Sequence, residues 1–112
     1  MPYGFNVEST KTQSHFLVEM PCAFGATPST PRNGVVTRIG LKRCFVKTKV
    51  AVAEGQPLFL RVWTNDDRWL RLRGTVKYHM EMVGFSLVFG GLEEEDAGGL
   101  AALVDGLSRE RK

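Results

Sequence analysis

Three cations crowd one glycine in the run Val35 to Thr48, VVTRIGLKRCFVKT: Arg38, Lys42 and Arg43 surround Gly40. Glycine adopts backbone angles that a side chain forbids and lets a ligand or another backbone come close. Positive charge gathered around such a point is one way to build an anion site. The same residues also suit a bent barrel corner whose lysines and arginines are simply solvated, and the two readings stand side by side. Cys44 adjoins Arg43 and Lys42, and neighbouring cations favour a reactive thiolate. Its position between strand residues instead points to a packed thiol, as it does for Cys22. No serine lies in a nucleophile elbow, and there is no phosphate loop. His15 and His79 lie far apart, pair with no carboxylate at a telling spacing, and belong to no metal-ligand motif. The residue pattern therefore predicts a protein that is not an enzyme and uses no metal or cofactor.

A second set of residues alternates along two later runs. Arg61, Trp63, Trp69, Arg71, Arg73 and Lys77 fall on one face of their segments. Cations interleaved with aromatics suit single-stranded nucleic acid, where bases stack and phosphates pair with the charges. Long basic side chains also cover exposed strand faces with their stems laid on indoles. In a third reading, Trp63, Trp69 and Arg71 anchor a protein interface, because tryptophan and arginine concentrate at binding hot spots. The protein interface is favoured over the nucleic acid.

The elements that must hold these residues follow from periodicity. With 112 residues the chain is long enough to bury a core without metals or crosslinks. A formal net charge of +3 permits an anionic partner without demanding one. No apolar run has the length of a membrane span, and the N-terminus lacks a basic-then-apolar signal, so the expected location is cytoplasmic. Residues 1–14 are polar with scattered aromatics, Tyr3 and Phe5, and read as a flexible arm ahead of a domain over 15–112.

From Phe16 to Phe24 the chain alternates, with Phe16, Val18, Met20, Cys22 and Phe24 on a core face. Pro21 lacks an N–H and predicts an edge position or a bulge. GATPSTPRNG, ending in Asn33-Gly34, predicts a hairpin closed by that dipeptide. The focal run predicts one strand, or two strands around Gly40. Leu58, Leu60 and Val62 share the inner face of the next strand. Asn65-Asp66-Asp67 predicts a short turn. Leu70, Leu72, Val76 and Tyr78 line the inner face of a long strand, and Val83, Phe85, Leu87 and Phe89 that of its partner. Leu100, Leu103, Val104 and Leu107 then recur at helical spacing. Glu93 to Asp96 at the start of that helix and Arg109, Arg111 and Lys112 at its end suit the helix dipole. The sum is a mostly β fold, a small antiparallel barrel with a C-terminal helix laid against it.

In this order, the features resemble the PilZ domain, the bacterial receptor module for cyclic di-GMP. CFVKT after a glycine-containing turn carries the resemblance, with EGQPLFLRV, LRLRGTVKY and VGFSLVFGGLEEED leading into the final helix. It extends from about Lys11 onward and implies a six-stranded antiparallel barrel. The family's Arg-x-x-x-Arg motif falls on Lys11-Thr-Gln-Ser-His15, where lysine cannot form the bidentate fork of arginine. Its Asp/Asn-x-Ser-x-x-Gly motif falls on Arg38-Ile-Gly40-Leu-Lys42-Arg43, and all three signature positions differ. The resemblance thus implies a regulatory or adaptor domain in cyclic di-GMP-related signalling, within motility, type IV pilus or surface-behaviour pathways. Its partner is then a protein, and nucleotide binding is weak or lost. The alternative is a true cyclic di-GMP receptor whose site is rebuilt from Lys11, His15, Arg38, Gly40, Lys42 and Arg43.

Overall fold

The computed structural model describes residues 15–64 and 67–110. Six strands run in the order β1 (His15–Gly25), β2 (Arg32–Gly40), β3 (Arg43–Lys47), β4 (Pro57–Trp63), β5 (Trp69–Met80) and β6 (Gly84–Phe89), followed by helix α1 (Glu94–Glu110). They close into an antiparallel barrel in the order β1-β2-β3-β6-β5-β4. The expected fold class is therefore the observed one. The arm over 1–14, with Tyr3, Phe5 and Lys11, lies outside the described residues, as do Asn65, Asp66, Arg111 and Lys112.

The ring closes through β1, whose first part pairs with β2 and whose last four residues, Cys22 to Gly25, pair with Val62 to Phe59 of β4 as well. The core is what alternation predicts. Met20, Phe24, Val36, Ile39, Val46, Leu60, Val62, Leu72, Val76, Phe85 and Leu87 are buried inside the barrel. Phe24 and Phe85 meet edge to face with centroids 5.1 Å apart, a favoured aromatic geometry. The focal run resolves into two strands, β2 and β3, turning at Leu41 and Lys42 just after Gly40.

Helix α1 packs on β1 and β5 and buries Leu100, Val104 and Leu107, the apolar stripe seen in its sequence. Glu94, Glu95 and Asp96 occupy its first turn and Arg109 its last, where each sign suits the helix dipole. Gly99 approaches the barrel so closely that a Cβ there would lie 2.8 Å from Leu70 Cδ1. The glycines weaken the helix intrinsically, so burial of its stripe must hold it.

Three local expectations are corrected. Asn33-Gly34 is not the hairpin turn, because both residues pair within the sheet, Asn33 with Ala23 and Gly34 with Cys22. The turn lies before them, where Thr30 N donates to Thr27 O at 3.0 Å. Glycine is needed at 34 for space, since a Cβ would meet Val46 Cγ1 at 2.9 Å. Pro21 sits as expected, since among the described strands β1 is paired only on the β2 side until Cys22, and a bulge lies just before it, between Leu17 and Met20. Tyr78 points outward and is 39% exposed, because a bulge between Val76 and Tyr78 breaks the alternation. Val83 is also exposed. It belongs to the turn, donating its N–H to Met80 O at 2.9 Å, and β6 begins after it.

Where β5 crosses the end of β6, Gly74 is held tight. A Cβ there would collide with the Val88 carbonyl and lie 2.9 Å from Phe89 Cα, all backbone atoms of the paired strand. Gly74→Ala is expected to lower the urea midpoint by an amount equal to about 2–4 kcal/mol. Gly90→Ala, with nothing near its Cβ, should stay within about 0.5 kcal/mol of the parent.

Candidate functional site

The outer face of the barrel carries a row of directly opposed residues that crosses five strands. Leu17 of β1 faces Arg38 of β2, Arg38 faces Phe45 of β3, Phe45 faces Ser86 of β6, and Ser86 faces Tyr78 of β5. Beside it lies a notch of about 100 Å³ lined by His15, Arg38, Arg43, Cys44, Phe45, Tyr78 and Ser86. Phe45 and Tyr78 form its aromatic wall, their centroids 6.4 Å apart with the rings tilted by 40°. Ser86 lies between them in the pairing and is buried, although its neighbours Phe85 and Leu87 are the ones that enter the core.

Of the candidate ligand residues, the structure brings His15, Arg38 and Arg43 together in this notch. Gly40 is buried at the end of β2 and pairs with His15 across the sheet. Lys42 sits in the adjoining turn with its side chain exposed, and its carbonyl accepts the Phe89 N–H at 2.9 Å. Lys11 lies outside the described residues. Among the described residues, neither Arg38 nor Arg43 forms an ion pair. Phe45, Ser86 and Tyr78 were not singled out from sequence. The alternation rule aims Tyr78 inward, and nothing local announces the bulge that turns it out.

The second candidate group sits on β4 and β5. Trp63 and Trp69 face each other across the strands and stack edge to face, with centroids 5.0 Å apart and planes at 65°. Arg61 lies over the Trp69 ring at 4.9 Å, a cation–π distance, and its Nε donates to Thr30 Oγ1 at 2.9 Å. Arg71 approaches Asp96 at 3.6 Å. Arg73 Nε donates to the Gly91 carbonyl at 2.6 Å. A groove of about 270 Å³ runs between this edge of β5 and α1, lined on one side by Arg68, Trp69 and Arg71 and on the other by Asp96, Gly99 and Gly106. Trp63, Trp69 and Arg71 thus lie together. Much of their contact capacity is spent within the fold.

No protein-family model matches this chain, and no curated protein matches its sequence. Solved structures do share its fold. The PilZ domain of CeSA from a cellulose-synthesizing bacterium superposes with a TM-score of 0.66 at 14% identity, over 83% of this chain and 96% of that one. This chain has the PilZ-like fold. The Bacillus subtilis inhibitor of motility, MotI/DgrA, also superposes, with a TM-score of 0.68 at 12% identity over 88% of this chain. The match covers 49% of MotI/DgrA, so this chain spans about half of that protein's length. In this PilZ-like barrel, Arg38 and Gly40 fall at the end of β2 and Arg43 at the start of β3, with both arginines lining the notch. No helix among the described residues is long and apolar enough to cross a membrane. No three of the described His, Cys, Asp or Glu residues gather as metal ligands would.

Cys22 and Cys44 are free and buried, as packed thiols. Burial pushes the Cys22 thiol up to about 12, with a backbone hydrogen bond to Gly34 acting the other way. Burial also raises Cys44, and the neighbouring Cys22 adds to it. Arg43 therefore does not activate Cys44. In the native protein at pH 8, neither thiol should react with iodoacetamide within the time that urea-unfolded chain is fully alkylated. The ordinary thiol value is 9.0, so above it the unfolded state holds fewer protons than the folded one. Stability should accordingly fall as pH rises from 9.0 toward about 12, on the order of 1 kcal/mol per pH unit for each thiol, and serine variants should flatten that slope.

Proposed function

We propose that this PilZ-like domain is a non-enzymatic regulatory module that acts through protein contact, with cyclic di-GMP binding weak or lost. The observation carrying this reading is the notch at the position of the family's nucleotide motif. Its volume of about 100 Å³ falls well below the roughly 300–1,000 Å³ typical of small-molecule pockets. At the signature serine stands Gly40, with no side chain to offer a ligand. At the signature glycine stands Arg43, whose side chain lines the notch. The acid or amide that would meet a guanine edge is Arg38, which presents donors only.

The pathway class, motility, pilus function or other surface behaviour in a bacterial cytoplasm, rests on fold likeness to an inhibitor of motility and to the PilZ domain of CeSA from a cellulose-synthesizing bacterium. It is an analogy of fold, and fold alone does not transmit function. The single-stranded nucleic acid reading is disfavoured by Arg61, Arg71 and Arg73, which turn to Trp69, Asp96 and Gly91 instead of forming a free basic track.

Calorimetric titration of the 112-residue chain with cyclic di-GMP, with GTP as control, tests the reading. The expected outcome is no heat beyond dilution at protein concentrations of about 100 µM, a level at which micromolar affinity is plainly visible. Specific micromolar binding that is lost in Arg38→Ala and Arg43→Ala variants would sink it in favour of a rebuilt receptor site.

A further inference from the structure

The outer row and its notch have the composition of a protein-binding hot spot, and their charge specifies the partner. We propose that this face docks an acidic segment of a partner protein, one that sets a carboxylate into the His15–Arg38–Arg43 notch and an apolar or aromatic side chain beside Phe45 and Tyr78. This inference rests on the protein-contact reading and deepens it.

Several observations carry it. Strands lie about 4.8 Å apart, so a row across five of them is roughly 19 Å long, enough for several residues of a partner segment. Tyr78 at one end is 39% exposed, and Phe45 beside it completes an aromatic wall along the notch. On the outside of a barrel such positions are ordinarily polar. Three residues of the row, Leu17, Arg38 and Tyr78, flank the three bulges of the barrel. Bulges re-aim side chains, and here they bring residues of β1, β2 and β5 onto one face.

The electrostatics select the sign. The notch lining contains two arginines and a histidine and no carboxylate. Elsewhere on the described surface Arg71 has Asp96, Arg73 has Glu93 and Arg109 has Asp105, while Arg32, Arg61 and Arg68 form no described ion pair. Arg38 and Arg43 have none of this kind among the described residues. An arginine fork lacking a partner binds a carboxylate bidentately, and arginine with aromatic neighbours is the composition enriched at hot spots.

The shape selects the class. A volume of about 100 Å³ accepts one side-chain group but is small for a nucleotide. A free phosphate would leave the exposed apolar positions unused. A nucleic acid strand needs cations spaced along its track, whereas these cluster at one side of the row. An acidic peptide with one apolar residue uses both parts.

The test is a heteronuclear NMR titration of the full chain. The probes are an acetylated pentapeptide with glutamates flanking one phenylalanine, the matching lysine peptide, inorganic phosphate and a short oligothymidylate. The acidic peptide is expected to shift the amides of His15, Arg38, Arg43, Phe45, Ser86 and Tyr78, and the lysine peptide to leave them unmoved. R38E/R43E should abolish those shifts, while the charge-matched K47E/K49E, toward the other end of β3, should retain them. R38Q/R43Q gives the same loss without charge reversal, should the glutamate variant fold poorly.

Shifts spread over every basic residue and indifferent to R38E/R43E would overturn the proposal. So would phosphate saturating the notch where the peptide does not, which would make it a small-anion pocket. Tighter binding of the oligothymidylate on the same residues would overturn it in favour of nucleic acid. Silence toward the acidic peptide together with silence toward cyclic di-GMP would defeat this inference alone. Heat with cyclic di-GMP would defeat the reading beneath it.

Discussion

Closing six short strands into a ring is the constraint on which the rest of this molecule depends. β1 must serve two neighbours, β2 along most of its length and β4 at its last four residues. A sheet curves that sharply only where its pairing is interrupted, and bulges supply the bend. The barrel has register irregularities between Leu17 and Met20, between Val36 and Arg38, and between Val76 and Tyr78. Each adds a residue that the alternation does not count. Arg38 and Tyr78 therefore reach the surface as a consequence of closure, and the candidate site is in part a by-product of the geometry that seals the core. His79 follows on the same strand. Its Nε2 is buried just after the β5 bulge with no hydrogen-bond partner among the described residues.

The helix depends on the barrel in turn. Its glycines would make it marginal alone, yet Gly99 is what allows α1 to settle against Leu70. Leu100, Val104 and Leu107 then bury their stripe, and Asp96 comes within reach of Arg71 at the start of β5. Both side chains of that pair remain partly in water, with Arg71 66% exposed, so its contribution to stability is small. The apolar stripe decides the docking, and the ion pair follows from it.

Legibility in the sequence divides along the same line. β4 was readable residue by residue, because Leu58, Leu60 and Val62 alternate through an unbroken register with β5. The helix was readable because one stripe and two charged ends agree. Tyr78 and Val83 were misread because a period of two carries no mark of the residue at which a bulge or a turn resets it. Asn33-Gly34 was misread because a turn signal is local, while Gly34 answers to Val46 and Phe24 packed above it, a tertiary demand. At the site, Arg38 and Arg43 were found through motif register. Phe45 and Ser86 look like ordinary strand residues, and only the pairing of β3 with β6 makes them neighbours of Tyr78.

Counting cations on this surface misleads about where an anion would bind. Arg61 and Arg71 are directly opposed across β4 and β5, an arrangement of like charges that costs stability unless each finds another partner. Both do: Arg61 turns onto Trp69 and Thr30, and Arg71 leans toward Asp96. The basic stripe that looked from sequence like a track for phosphates is thus largely a set of contacts holding a loop, two indoles and a helix to the barrel. An arginine already engaged must give up its contact before it serves a ligand. Arg38 and Arg43 form no described ion pair and face an aromatic wall instead of a carboxylate. The acidic docking proposed above therefore draws on these two arginines and not on the longer basic stripe of β4 and β5.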